Sequence, residues 1–141
     1  HVDTATLQRA RQAGADHALR ACFTALDMMT DLRRLQEGWR QKGLPEIDIG
    51  IGLHAGIAVL GHVGSKERHD YTALGDVPNV SARLESATKD AGFRIVLSDE
   101  VASHLPDRTG LVSLGPVNLK GHTPVPAHGF DPIASDAPAV R

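Results

Sequence analysis

Leu19, Phe23, Leu26, Met29, Leu32, Leu35 and Trp39 recur every three or four residues, with Arg33, Arg34, Gln36 and Glu37 filling the gaps. This period predicts an amphipathic helix with one buried stripe, beginning near Asp16. Gly43 and Pro45 end it, since Gly suits a helix C-terminus and Pro cannot continue one. The period then falls to two. Ile47, Ile49, Ile51 and Leu53 alternate with Asp48, Gly50, Gly52 and His54, and Ile57, Val59 and Val63 form a second alternating run. Two strands are predicted, joined by a hairpin at Ala55-Gly56. Glycines weaken a strand unless another backbone or a ligand comes close to them.

Residues 65–70 (SKERHD) read as a charged turn, and 71–74 as a short strand or extended arm. Asp76 is predicted to cap a helix over residues 77–89, with Pro78 tolerated in its first turn and Gly92 closing it. Residues 94–97 read as a short strand. Ser98-Asp99-Glu100 opens a short helix, with a capping hydroxyl and acids at its positive end. Residues 111–119 and 125–130 form a final strand pair around Lys120-Gly121. The Pro- and Ala-rich stretch 131–141 is expected to fray. Residues 1–13 show no clear pattern and are left as a leader or loop. Strands mixed with helices and a largely antiparallel pairing give an α+β class.

The 141 residues suffice for one domain with a real core. No apolar run approaches the ~18 residues needed to span a bilayer, and no signal peptide is visible. A net charge of −2 and a pI of about 6.5 argue against a nucleic-acid or anionic-membrane surface, which needs a basic footprint. Aromatic residues make up 4% of the chain, too few for single-strand stacking platforms. Cys22 is the sole cysteine, so no internal disulfide forms and a reducing, cytoplasmic setting is expected.

Asn79 and Arg83 are four residues apart on the second predicted helix, within about 40° of one another around its axis. Asn offers a donor and an acceptor; Arg offers a planar fork of donors matched to phosphate oxygens. The helix N-terminus adds positive partial charge. The pair therefore suits half of a nucleotide site, although a solvated surface helix has the same pattern. Other candidates are weaker. His54, His62 and His69 lack the short, defined spacings of a zinc site. Gly61 and Gly64 lack the Lys-Ser/Thr of a phosphate loop. Asp48 and Asp70 read as solvated or turn residues, Cys22 as packing, and Met28 and Met29 as core filler.

Three ordered segments, IGIGLHAGIAVLGHVGS, DYTALGDVPNVSARLE and LKG, together resemble the C-terminal two-thirds of a class III nucleotidyl cyclase catalytic domain. The resemblance runs from about Asp16 to Asp131. It implies a ferredoxin-like cyclase fold, a mostly antiparallel sheet with helices packed on it, whose N-terminal strands are missing from this chain. Residues 14–131 would be the partial catalytic domain and 132–141 a flexible tail. The family binds ATP or GTP at the interface of a head-to-tail dimer. By resemblance Thr72 helps read the base and leans toward ATP, Asn79 orients the ribose, Arg83 stabilises the transition state and Lys120 contacts the phosphates. The family's two metal-binding aspartates, for Mg²⁺ or Mn²⁺, lie earlier in the domain, so no metal ligand is assigned in this chain. Pro78 stands where the family often has Val.

The implied activity is conversion of ATP to cyclic AMP and pyrophosphate by a homodimer or with a partner cyclase domain. The chain would supply one half of each composite site and be inactive alone. Its setting would be the cytoplasm, or the cytoplasmic side of a membrane-anchored parent. The alternatives are a non-catalytic cyclase-homology module for dimerisation or nucleotide sensing, and a generic ferredoxin-like binding domain.

Overall fold

The computed structural model describes residues 17–57, 59–65, 68–105, 108 and 110–131, with the backbone alone for the strands between 59 and 74. The leader 1–13 and the tail 132–141 lie outside the described residues. The order is α1 (His17–Gln41), β1 (Ile51–Leu53), β2 (Val59–Ser65), β3 (Arg68–Leu74), α2 (Asp76–Ala91), β4 (Ile95–Ser98), α3 (Asp99–Ser103), β5 (Val112–Val117) and β6 (Val125–Phe130). No helix among the described residues is long and apolar enough to cross a membrane.

Strands β1, β4, β6 and β5 form one sheet in that order, and β2 and β3 form a separate two-stranded ribbon. β1 pairs parallel with β4, Ile51 opposite Ile95 and Leu53 opposite Leu97. The other two pairings, β4 with β6 and β5 with β6, are antiparallel. The α+β class and the mostly antiparallel sheet are as expected.

The alternation along β1 and β4 sorts the core. Ile51, Leu53, Ile95 and Leu97 pack with Ala18, Ala25, Met29 and Leu32 of α1. Val96 packs with Val80 and Leu84 of α2 and with Leu119, Val125 and Ala127. The two helices therefore cover opposite faces of the sheet. On the α2 side, a side chain at Gly52 would collide with the backbone of α2 at Ser81 and Glu85, and one at Gly50 would collide with Thr88. The strand glycines let the helix backbone rest directly on β1.

Several local expectations are corrected. The Ala55-Gly56 hairpin does not form: β1 finds its partner in β4, and β2 pairs with β3 instead. Only residues 51–53 of the first alternating run are strand, and all three are buried, because α2 covers the glycine side. The charged turn is narrower than 65–70, since Ser65 and Arg68 already pair across the ribbon. The apolar stripe of α1 is also narrower. Phe23 is 57% and Leu35 54% exposed. Phe23 sits about 140° around the helix from buried Ala18, so its spacing belongs to another face.

Cys22 lies against this core, where burial pushes its thiol up to about 11. It lines an apolar cavity of about 250 Å³ with Leu19, Leu26, Leu53 and Leu97. Asp131 is not frayed: its carboxylate accepts from Arg94 Nη1 at 3.0 Å with both side chains largely buried. Asp48 adds a longer ion pair to Arg94, at 3.7 Å, and is more than a solvated turn residue.

Candidate active site

Helix α2 opens without a side-chain cap. Gly75, at φ 113° and ψ −157°, turns the chain out of β3 and occupies the capping position. Asp76, expected as the cap, falls inside the first turn, where its carboxylate still favours the positive helix end. Its oxygen Oδ2 is instead 3.1 Å from His122 Nε2. At the far end Gly92, in the left-handed region, closes the helix as expected, and Phe93 N–H donates to the Thr88 carbonyl at 3.2 Å.

Val80, Leu84 and Thr88 are the buried stripe of α2. Asn79 is exposed in the first turn, and Arg83 is half-buried one turn later. Neither side chain has a hydrogen-bond or ion-pair partner among the described residues. The stripe shares its core with Leu119, which docks the following turn beside the helix. Within that turn His122 N–H donates to the Leu119 carbonyl at 3.0 Å, and Gly121 takes φ 73°. A positive φ at the third position of a four-residue turn calls for Gly. A second constraint acts there: a Cβ on Gly121 would lie 3.2 Å from Arg83 Nη1. The Arg83 guanidinium thus lies on the backbone next to exposed Lys120.

The electrostatics follow from these contacts. His122 is held above its ordinary pKa, first by donating to the Thr123 carbonyl at 2.6 Å and then by its bond to Asp76, while the Arg83 charge opposes this. His54, at the end of β1, is lowered mainly by burial, with Glu100 and Asp76 acting the other way. Its Nδ1 lies 2.8 Å from Ser98 Oγ, the hydroxyl that also caps α3. An exposed helix face carrying Asn and Arg, beside a turn carrying Lys, can take a sugar on one side and phosphate oxygens on the other.

Residues 4–130 match the family model of the adenylate and guanylate cyclase catalytic domain. The chain belongs to this family. It is similar to Adenylate cyclase 1 of Rhizobium meliloti (strain 1021), at 40% identity over 111 residues, covering 79% of this chain and 17% of that protein. Among solved structures it resembles the adenylyl cyclase CyaB from P. aeruginosa, with a TM-score of 0.73 and 27% identity over 84% of this chain and 60% of that one. It also resembles the guanylyl cyclase Cya2, with a TM-score of 0.67 and 30% identity over 81% of this chain and 57% of that one. The chain spans 17% of the length of each of the first two relatives it matches.

The cyclase fold brings two of the four predicted site residues into one place, Arg83 and the turn of Lys120. Asn79 shares the helix face of Arg83. Thr72 lies in β3 opposite Gly61, three residues before Gly75, and its side chain is outside the described ones. The side chains of His62, His69 and Asp70 are likewise outside them. Asp76 and His122 were not among the predicted site residues. They are 46 residues apart, and no local spacing marks them; only the docking of the turn on α2 joins them.

Proposed function

We propose that this chain forms part of a nucleotidyl cyclase site that converts ATP to cyclic AMP and pyrophosphate at a dimer interface. The observation that carries the proposal is the juxtaposition of Arg83 with the Lys120-Gly121 turn, in a chain of the cyclase family. The relative named adenylate cyclase supports ATP as the substrate, and so does Thr72 at the position where the resemblance expects a base-reading residue.

In the reaction the ribose 3′-hydroxyl attacks the α-phosphorus and pyrophosphate leaves. Negative charge grows on the phosphate oxygens, so donors fixed in advance help most there. Asn79 would orient the ribose through its amide, and Arg83 would donate to the oxygens of the α-phosphate as the bond to the leaving group lengthens. Lys120 would hold the polyphosphate as a point charge.

A divalent ion, Mg²⁺ or Mn²⁺, supplies further charge neutralisation in this family. Among the described residues no group of three or more His, Cys, Asp or Glu side chains could hold one. The roles proposed for residues of this chain are at the ribose, the phosphates and the base, and the ligands of the ion would come from the earlier part of the domain. The second half of the site would come from a partner domain.

The test is to supply the full-length protein with ATP or GTP and Mn²⁺ and to follow cyclic product by chromatography. Cyclic AMP is expected. Cyclic GMP in preference would overturn the base assignment. ATP binding without product would favour the nucleotide-sensing module.

A further inference from the structure

We propose that His122 is a positioning residue for Arg83, clamping the start of α2 to the Lys120-Gly121 turn through Asp76. This rests on the cyclase reading above. Both ring nitrogens of His122 face groups that only accept. Nδ1 is 2.6 Å from the Thr123 carbonyl and Nε2 is 3.1 Å from the Asp76 carboxylate. A neutral imidazole carries one N–H and can serve only one of them; the imidazolium serves both. In the neutral ring that keeps the Thr123 bond, the Nε2 lone pair would face the carboxylate, and the tie to α2 would be lost.

The clamp bears directly on the phosphate-facing groups. Asp76 lies seven residues before Arg83 on the same helix, and Gly121, under the Arg83 guanidinium, precedes His122. The bond therefore closes a ring of contacts: Asp76 to His122, His122 through Gly121 to Arg83, and back along α2. Among the described residues, three ionisable groups act on this imidazole. Asp76 and Arg83 face it from α2, the first favouring its charge and the second opposing it. His54, beyond β1, interacts with both His122 and Asp76. A polyphosphate bound at Arg83 would offset the opposing charge, so substrate binding and His122 protonation reinforce one another.

The experiment uses the full-length protein with histidine labelled at Cε1. Titration by NMR, with the resonance assigned by His122→Gln, is expected to give a midpoint above that of an ordinary histidine, returning toward it in Asp76→Asn. An ordinary midpoint unmoved by Asp76→Asn overturns the clamp. The second arm is the pH profile of kcat with ATP and Mn²⁺. Wild type is expected to lose kcat as pH rises through the His122 midpoint. His122→Gln should be lower on the order of tenfold, with KM little changed and the alkaline fall absent. A His122→Gln profile that matches wild type overturns the positioning role. If wild type makes no cyclic product, the cyclase reading fails, and the pH dependence of ATP affinity takes the place of kcat. A fall through the same midpoint then supports the clamp, and a flat line overturns it.

Discussion

The guanidinium of Arg83 lies over Gly121, so closely that a single methyl group on that residue would sit 3.2 Å from Nη1. The glycine has two separate reasons to be there, its φ of 73° and the arginine above it. Gly121→Ala is expected to reduce kcat for cyclic nucleotide formation by on the order of tenfold to a hundredfold, through displacement of Arg83. The strain of the turn itself should lower stability by about 1 kcal/mol. Steady-state kinetics together with a melting curve separate the two effects. Kinetics equal to wild type would mean that Arg83 does not depend on this contact.

Gly52 plays the corresponding part in the fold. Its missing side chain is what lets the backbone of α2 at Ser81 and Glu85 reach β1. Gly52→Ala forces helix and strand apart, and a loss of about 3 kcal/mol is expected, at the upper end for overpacking. Urea denaturation would show it as a lowered midpoint. An unmoved midpoint would show that α2 does not rest on β1 in this way.

The nearly buried pair of Arg94 and Asp131 joins the residue before β4 to the residue after β6. Asp131→Ala leaves the guanidinium without its main partner, and about 3 kcal/mol of stability should be lost. Replacing both residues by apolar ones is expected to be far milder. Thermal melts of Asp131→Ala and of the Arg94→Met, Asp131→Leu double variant test this ordering.

Stability should also depend on pH through His54. Its pKa is lowered by burial, so the unfolded chain binds the proton more readily than the folded one. Its contribution is fully present above the ordinary histidine value of 6.5 and is lost as pH falls from there through the folded pKa. His122 acts in the opposite sense: its contribution is present below 6.5 and is lost as pH rises through its raised folded pKa. Melting temperatures measured from pH 5 to 8 should lose their acid-side decline in His54→Asn. The alkaline-side decline should shrink in His122→Gln. An unchanged acid limb in His54→Asn would exclude His54 as its source.

What the amino-acid pattern revealed was local. The helix over Asn79 and Arg83, the stop at Gly92 and the strand Val125–Phe130 follow from spacing and turn residues a few positions apart. The pairing of β1 with β4 does not, because Ile51 and Ile95 are far apart in sequence and Ala55-Gly56 offered a nearer turn. The site divides in the same way. One helix face holding Asn79 and Arg83 was legible from 3.6 residues per turn. The contact of Arg83 with Gly121 and the bond of Asp76 to His122 were not, because both depend on Leu119 joining the Val80–Leu84 core. Asp76 does not cap the helix because Gly75, which has no side chain to do so, holds the capping position.

The central claim is that Arg83 meets the reacting phosphate, and the most direct measurement is the rate of cyclic AMP formation by the full-length protein carrying Arg83→Ala. The guanidinium has no carboxylate partner among the described residues, so its removal should leave the melting temperature close to wild type. The account predicts a fall in kcat of about 10²–10³ with the fold intact, the scale of losing one donor to a developing oxyanion. A folded Arg83→Ala protein that makes cyclic AMP at the wild-type rate would contradict it.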